Sequence, residues 1–343
     1  MGEGFGSPPF HFVKFKNKVF GLLCIAAALI VVFFLSLSIG AVDLDFSRII
    51  DAIFLRADKV ANTIFWDLRF PRSLGAILVG ASLGMSGALL QGMLRNGLSS
   101  PFLLGISAGA GLVVVVMITL GSFPFLVPLG AWLGALATTA LVFLLAKTRK
   151  AISVPRLILG GVAFSSLFGA IQSTLLLFSD DGKIQAALTW LIGSLNSRGW
   201  DDVSMAAPWI IPSLVAGCFL GKQLNLLSLG DEMAQSLGVS LLRSRIIIGA
   251  CAALLTASAV SIAGLVGFVG LIVPHGVRFL VGDDNRLVLP GSALGGAMIL
   301  SLSDLIARSG PVEIPVGIVT ALLGAPTFIF LLYSSSRTRR QAG

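Results

Sequence analysis

The sequence predicts an all-α polytopic membrane protein with about ten transmembrane helices and with both termini in the cytoplasm. Three observations support this fold class. The chain of 343 residues is 56% hydrophobic and only 12% charged, whereas soluble domains carry about a quarter charged residues. Ten stretches approach the roughly 20 apolar residues that cross a bilayer. The 40 glycines suit helices that pack closely in lipid.

The apolar stretches give the order of the predicted spans. The eighth span is short and contains Gly267, Gly270 and Pro274, so a full crossing is left open for it. A further helix at 184–195 is too short and too polar to span, and we expect it at the membrane interface. The ten predicted spans are 19–39, 73–94, 103–121, 124–146, 156–178, 203–221, 246–264, 266–280, 288–307 and 313–333.

The charge distribution predicts the orientation. Lys14, Lys16 and Lys18 precede the first span, which favours a cytoplasmic N-terminus. Ten spans then return the C-terminus to the cytoplasm. In this topology most lysines and arginines fall in inner loops, and most acidic residues fall in outer loops. The formal net charge of +8 therefore reflects the positive-inside bias, and no nucleic-acid partner is expected because the basic residues form no single patch.

Two short motifs resemble catalytic motifs but lack the required context. Gly105–Gly109 matches the G-x-S-x-G nucleophile elbow, yet it opens an apolar helix in a chain with two histidines. Gly217–Gln223 resembles a phosphate loop, but it is one residue short and ends in glutamine where serine or threonine belongs. The sequence also lacks Cys/His clusters with metal-ligand spacing. We therefore predict no catalytic residue, no metal site and no ATPase site of this chain's own.

Ionisable residues inside the predicted spans are few, which disfavours transport driven by ions. Asp304 is the main exception, and we expect it to pair with Arg308, four residues away on the same helical face. An ion-coupled secondary carrier remains the alternative from another class. It would need paired buried charges or interrupted helices with a visible repeat, and the similarity between 101–109 and 290–296 is only weak.

Four colinear blocks of the chain together resemble one family, the membrane subunits of type II ABC importers, which carry iron–siderophores, heme and vitamin B12. The resemblance covers nearly the whole sequence, and its specificity comes from the combination. The blocks are Asp67–Arg72 (DLRFPR) with Gly80–Gln91, Arg95–Gly109 (RNGLSSPFLLGISAG), Leu229–Gly238 (LGDEMAQSLG), and Ala263–Arg278 continued by Leu289–Pro326.

The resemblance implies a multi-subunit transporter in the cytoplasmic (inner) membrane of a bacterium. A second permease copy or paralogue would pair with this chain around a central pathway. Two ATP-binding subunits would use ATP and Mg²⁺ on the cytoplasmic side, while this chain binds no cofactor itself. A substrate-binding protein would deliver the ligand from outside, and membrane lipid would surround the complex. We expect an iron(III)-siderophore as substrate, with heme or cobalamin as alternatives.

The resemblance also implies the domain organisation. Its parts are a cytoplasmic segment at 1–18, a single transmembrane permease domain at 19–333 with an ATPase coupling loop at about 226–242, and a basic cytoplasmic tail at 334–343.

Arginines near the outer ends of the spans are candidates for binding-protein docking. Arg69 and Arg72 lie three apart at the start of the second span, and guanidinium pairs suit carboxylate recognition. The resemblance implies that Arg69, Arg72 and Arg308 receive glutamates from the binding protein. The alternative is ordinary interfacial arginines that pair with Asp67 or lipid.

The polar inner loop between spans six and seven is the candidate ATPase contact. Asp231 and Glu232 at a helix start would favour the positive end of the helix dipole. The alternative is a solvated loop with its own cap. The residues that the resemblance assigns to this coupling segment are Gly230, Asp231, Glu232, Ala234, Leu237 and Gly238.

The resemblance also implies a cytoplasmic gate and a pathway lining. Gly97 stands where the family usually has proline, and Pro155 precedes Arg156, so loop stiffness differs here. The alternative for the gate is that these segments are simple connecting loops. The alternative for the pathway lining is that those residues form a helix-packing face. The implied gate residues are Asn96, Leu98, Ser153 and Val154. The implied lining residues are Gly80, Ser82, Gly84, Ser86, Gly87 and Gln91.

Overall fold

Helices account for the regular structure of this chain in a computed structural model that describes residues 15–40, 46–54, 58–121, 123–148 and 151–340. Within those residues the only β pairing is an isolated bridge between Lys147 and Ile152. The helices are α1 (Phe15–Ser38), α2 (Phe46–Ile53), α3 (Lys59–Thr63), α4 (Phe70–Leu94), α5 (Ile106–Thr119), α6 (Val127–Ala146), α7 (Val154–Leu177), α8 (Asp181–Ile192), α9 (Trp200–Phe219), α10 (Gly221–Ser228), α11 (Asp231–Ser236), α12 (Leu241–Ala263), α13 (Val269–Val281), α14 (Asn285–Ala307) and α15 (Val316–Arg340).

Each predicted span coincides with one apolar helix: α1, α4, α5, α6, α7, α9, α12, α13, α14 or α15. Seven of the described helical runs are long and apolar enough to cross a bilayer, while Ile106–Thr119, Val269–Val281 and Val316–Phe330 are shorter. The all-helical membrane fold is confirmed. The number of ten crossings and the side on which each terminus lies stay predictions.

The predicted terminal segments are only partly described. Residues 1–14 of the N-terminal segment and 341–343 of the tail lie outside the described residues. The short polar helix predicted at 184–195 corresponds to α8, which begins three residues earlier, at Asp181.

The central helix of the bundle is α4, which packs against α9, α12, α13 and α14. In the helical run that contains α4, 89% of the most apolar 18-residue stretch is buried inside the chain. Glycines make this possible, because a Cβ on Gly80 would overlap the backbone of Gly296, and one on Gly87 would overlap the backbone of Gly270. Such close backbone approach is the usual basis of helix association in membranes.

The helical run that contains α4 starts well before the predicted boundary at residue 73. It extends over 36 residues, Lys59–Leu94, and a π-helical turn at Ile64–Arg69 joins α3 to α4. Within that turn the Phe70 N–H donates to the Phe65 carbonyl. Pro71 lies in the first turn of α4, where the missing N–H is tolerated.

Aromatic side chains brace this early part of the run. The rings of Trp66 and Phe70 lie 5.2 Å apart, and those of Phe70 and Trp200 lie 5.7 Å apart. Trp200 Nε1 also donates to the Trp66 carbonyl over 2.8 Å. This aromatic cluster fixes the end of α4 that carries Arg72, which we call the arginine end. The other end of α4, followed by Arg95, is called the coupling end.

Candidate functional site

Five charged residues meet at the arginine end, and we call them the arginine cluster: Arg69, Arg72, Asp304, Arg308 and Glu313. Arg72 Nη2 lies 2.7 Å from Asp304 Oδ1 and 2.7 Å from Glu313 Oε1. Arg308 Nε lies 3.5 Å from Asp304 Oδ2. The predicted Asp304–Arg308 pair is therefore confirmed, but Arg72 on α4 is the closer partner of this fully buried carboxylate.

The other arginines of the cluster hold the end of α1. Arg69 Nη1 donates to the carbonyls of Leu37 and Ser38 over 2.8 and 2.7 Å. Arg308 Nη2 donates to the carbonyl and the hydroxyl of Ser36. The last carbonyls of a helix have no partner within it, so these guanidinium groups cap α1. The cluster thus ties α1, α4 and α14 together.

The three predicted docking arginines are brought together, but they are largely inside the protein. The exposed fractions are 6% for Arg69 and, for the side chains, 13% for Arg72 and 8% for Arg308. Glu313 is the more accessible member, at 31%. A carboxylate arriving from a partner could reach Arg72 only by competing with Asp304 and Glu313. Docking at these arginines stays a prediction.

A polar cavity that the sequence did not indicate adjoins the cluster. Its volume is about 470 Å³, and Trp190, Asn196, Arg198 and Glu313 contribute to its lining. Arg198 Nη1 lies 3.2 Å from Asp202 Oδ1, so this lining carries a second ion pair. No local sequence motif marks the cavity, because its lining residues are far apart in the sequence. They come from α8 and the residues after it, from Ala263, and from the segment that follows α14.

The coupling segment, Gly230–Gly238, contains the short helix α11. Gly230 and Gly238 have φ angles of +107° and +83°, a region that favours glycine. Asp231 begins the helix as expected. Ala234 is fully buried inside the chain and does not face outward. The exposed apolar side chains of the segment are Met233 and Leu237, at 54% each.

The predicted gate residues lie in two connecting segments. Asn96 and Leu98 directly follow α4, and the Leu98 N–H donates to Asn96 Oδ1 over 2.9 Å. Ser153 directly precedes α7 and Val154 is the first residue of that helix. The Ser153 N–H donates to the Ala146 carbonyl over 3.0 Å. The gating role of both segments stays a prediction.

The six predicted lining residues have a different environment from the one expected. Gly80, Ser82, Gly84, Ser86, Gly87 and Gln91 are all buried inside this chain. Ser86 Oγ donates to the Ala252 carbonyl over 2.9 Å, and Gln91 Nε2 donates to the Leu271 carbonyl over 3.1 Å. The space beside the three glycines is filled by the backbone of neighbouring helices. These contacts fit the packing alternative, and the pathway-lining role stays a prediction.

One helix that the sequence did not single out, α7, is as exposed as α1. Only 11% of the most apolar window of α7 is buried. Its exposed residues include Ala163, Ser166, Ala170 and Ser173, which follow the i, i+3, i+7 and i+10 spacing of one helical face. In the sequence this face could have been recognised as a stripe of small and hydroxyl residues along an otherwise apolar span.

Comparison with known proteins identifies relatives over most of this chain. The profile of the FecCD transport family matches residues 28–334. The hemin transport system permease protein of Yersinia pestis is 39% identical over 287 residues, 80% of this chain and 85% of that protein. The Fe(3+)-citrate import system permease protein YfmE of Bacillus subtilis is 39% identical over 331 residues, 94% of this chain and 98% of that protein.

A solved structure has the same fold. It is described as a metal-chelate type ABC transporter in an inward-facing conformation, is 35% identical, and superimposes with a TM-score of 0.84 over 91% of this chain and 98% of that chain. In such systems the ATPase is a subunit separate from the permease. The chain therefore belongs to the FecCD transport family, as the multi-pass permease subunit of a type II ABC importer in the bacterial inner membrane.

Proposed function

We propose that this chain passes an iron(III)-siderophore across the cytoplasmic membrane after receiving it from a substrate-binding protein. The observation that carries the proposal is that α4 has a separate charged cluster at each end, so that a delivery partner and a motor partner can act at opposite ends of one helix. A relative named for Fe(3+)-citrate import supports an iron chelate. Heme and cobalamin remain the alternative substrates.

The motor would bind at the coupling end. Leu229, Met233 and Leu237 are exposed by 59%, 54% and 54%, and they recur every four residues through the coupling segment and its approach. Apolar side chains exposed on a polar segment are typical of a protein contact. We assign this surface to the two ATP-binding subunits, which would use ATP and Mg²⁺, whereas the permease itself would bind no cofactor.

A second permease copy or paralogue would cover α7. The exposed stripe Ala163, Ser166, Ala170 and Ser173 combines small side chains with hydroxyls. Small and hydroxyl residues are enriched where membrane helices contact each other. The proposed central pathway would therefore lie beside α7 and its symmetry mate.

Delivery would occur at the arginine end through exchange of carboxylates. Glu313 Oε1 lies 2.7 Å from Arg72 Nη2, and Glu313 is the more exposed of the two acids in the arginine cluster. A glutamate of the binding protein would take the place of Glu313, while the buried Asp304 keeps the guanidinium in position. Glu313 would then act as an internal competitor of docking.

Replacing Glu313 by glutamine should strengthen binding of the substrate-binding protein. The change removes both the competitor and its repulsion of an incoming carboxylate, so we expect Kd to fall about threefold at low salt, a size typical of exposed ion pairs. The gain should shrink at high salt because screening weakens exposed charges. Surface plasmon resonance on the complex in nanodiscs would measure it.

Asp201→Asn is the matched control, because Asp201 is another exposed acid at the same end, beside Trp200 of the aromatic cluster. It makes the same change in net charge outside the arginine cluster, and we expect Kd to stay within a factor of about 1.5. An equal gain in both variants would mean a general charge effect, and a weaker complex with Glu313→Gln would contradict carboxylate exchange.

The substrate can be tested by stimulation of ATP hydrolysis. The complex of permease and ATP-binding subunits would be mixed with its binding protein loaded with a ferric siderophore, heme or cobalamin. We expect the siderophore-loaded protein to give the largest increase in ATPase rate. Stimulation by the heme-loaded or cobalamin-loaded protein alone would assign that ligand and overturn the siderophore.

A further inference from the structure

The carboxylate of Asp231 joins two arginines from distant parts of the chain. Arg95 Nη2 donates to Asp231 Oδ1 over 2.9 Å. Arg245 Nη2 donates to Oδ1 over 2.9 Å and to Oδ2 over 3.0 Å. Asp231 is the first residue of α11, Arg95 directly follows α4, and Arg245 lies in α12. One side chain of the coupling segment therefore contacts the ends of two long helices.

Each of these arginines also leads into one of the two predicted gate segments. Arg95 caps α4 in a left-handed conformation, φ +50°, and Asn96 follows it in the chain. Arg245 Nη1 donates to the Ile152 carbonyl over 2.8 Å, and Ser153 follows Ile152. The Asp231 carboxylate thus contacts Arg95, the residue before Asn96. Through Arg245 it is also linked to Ile152, the residue before Ser153.

The two arginines differ in exposure, whereas the side chain of their shared partner, Asp231, is 35% exposed. The side chain of Arg245 is 3% exposed, and within the described part of the chain Asp231 is its only carboxylate partner. Removing a partner of a buried charge is strongly unfavourable. The side chain of Arg95 is 40% exposed, and exposed ion pairs contribute little. A displacement of α11 would therefore carry Arg245 and Ile152 along, and would release Arg95 first.

We propose that Asp231 is the residue that transmits movement of the coupling segment to both gate segments. In one position of α11 the carboxylate holds both arginines, and the two segments are tied to a common point. When α11 moves, the Arg245 pair draws the Ile152–Ser153 segment with it, and loss of the Arg95 pair frees the turn that contains Asn96. Asp231 is a positioning residue, and this role rests on the proposed function.

The test is Asp231→Asn in the complex with its ATP-binding subunits and binding protein, reconstituted in proteoliposomes. Asparagine keeps the shape but loses the charge that holds both arginines. We expect substrate uptake per ATP hydrolysed to fall about tenfold, within the range typical of coupling between sites. ATP hydrolysis should stay within about twofold of the parent, because Met233 and Leu237 still present the contact surface.

Asp283→Asn is the control, since Asp283 is an exposed acid between α13 and α14, outside the coupling segment and both gate segments, and the change in charge is the same. It should leave uptake per ATP unchanged. Arg95→Met is the second variant, because it removes the exposed pair and leaves the buried Asp231–Arg245 pair in place. We expect it to assemble normally and to lower uptake per ATP about threefold, the size expected for loss of an exposed ion pair.

The outcomes separate this inference from the proposed function. Asp231→Asn with a parental ratio of uptake to hydrolysis would overturn the role of Asp231. So would equal losses of uptake and hydrolysis, because they would indicate a merely structural residue. Should Asp231→Asn fail to assemble, the Arg95→Met ratio decides the matter in the same way. Failure of the parent complex to take up substrate with ATP would instead contradict the proposed function.

Discussion

Asp304→Ala should lower the free energy of unfolding of this chain by about 3 kcal/mol or more, because it leaves buried charge without its partner. Asp304 is fully buried, and its carboxylate contacts Arg72 at 2.7 Å and Arg308 at 3.5 Å. Arg72 would retain Glu313, and Arg308 would retain Ser36. The arginine cluster would still lose the group that joins α4 to α14. Thermal unfolding of the purified chain in detergent would measure the loss.

Two further variants sharpen this prediction. Asp304→Asn keeps the shape of the side chain, so it should show most of the same loss if charge is the cause. Asp180→Ala removes an acid whose side chain is 88% exposed and 3.7 Å from Lys183, and we expect a change within about 0.5 kcal/mol. A parental midpoint for Asp304→Ala would contradict the view that this carboxylate holds the cluster together.

Gly87→Ala is expected to have the other large effect. A Cβ at this position would overlap the backbone of Gly270, including its carbonyl carbon and oxygen. Backbone cannot move aside as a side chain can, so α4 and α13 would have to separate. Overpacking of this kind destabilises by about 1–3 kcal/mol, and sometimes by more. We expect a lower unfolding midpoint and less folded protein extracted from membranes.

Gly276→Ala provides a control of opposite sign. Gly276 lies in α13, and a Cβ there meets no atom within 4 Å. Alanine in a helix is more stable than glycine by about 0.5–1 kcal/mol, so this variant should unfold at the same temperature as the parent or at a higher one. If both glycine variants behaved alike, the close contact between α4 and α13 could not be the reason.

Most of the fold could be predicted from the sequence because apolar length is a local property. The stretches that predicted ten spans each coincide with a helix. The second span was predicted to start at residue 73, close to the start of α4 at Phe70, but the earlier part of the helical run was not predicted. The π-helical turn and the burial of Arg69 allow the helical run to begin at Lys59 instead.

Contacts at the candidate site were harder to predict because they join distant parts of the chain. The Asp304–Arg308 pair follows from helical spacing, but the closer partner, Arg72, is 232 residues away. Likewise, Asp231 was expected to interact with a helix dipole, whereas it also pairs with Arg95, 136 residues away. The resemblance assigned Ala234 to the coupling segment, but Ala234 is buried, and Met233 and Leu237 are the exposed apolar residues there.

The central claim is that a separate motor drives this permease. The most direct test is uptake of radiolabelled ferric siderophore into proteoliposomes that contain the permease with its ATP-binding subunits, in the presence of the binding protein. We predict that uptake requires ATP, both kinds of subunit and the binding protein, and that it persists when proton and sodium gradients are collapsed. Uptake by the permease alone, driven by an ion gradient without ATP, would contradict the account and support a secondary carrier.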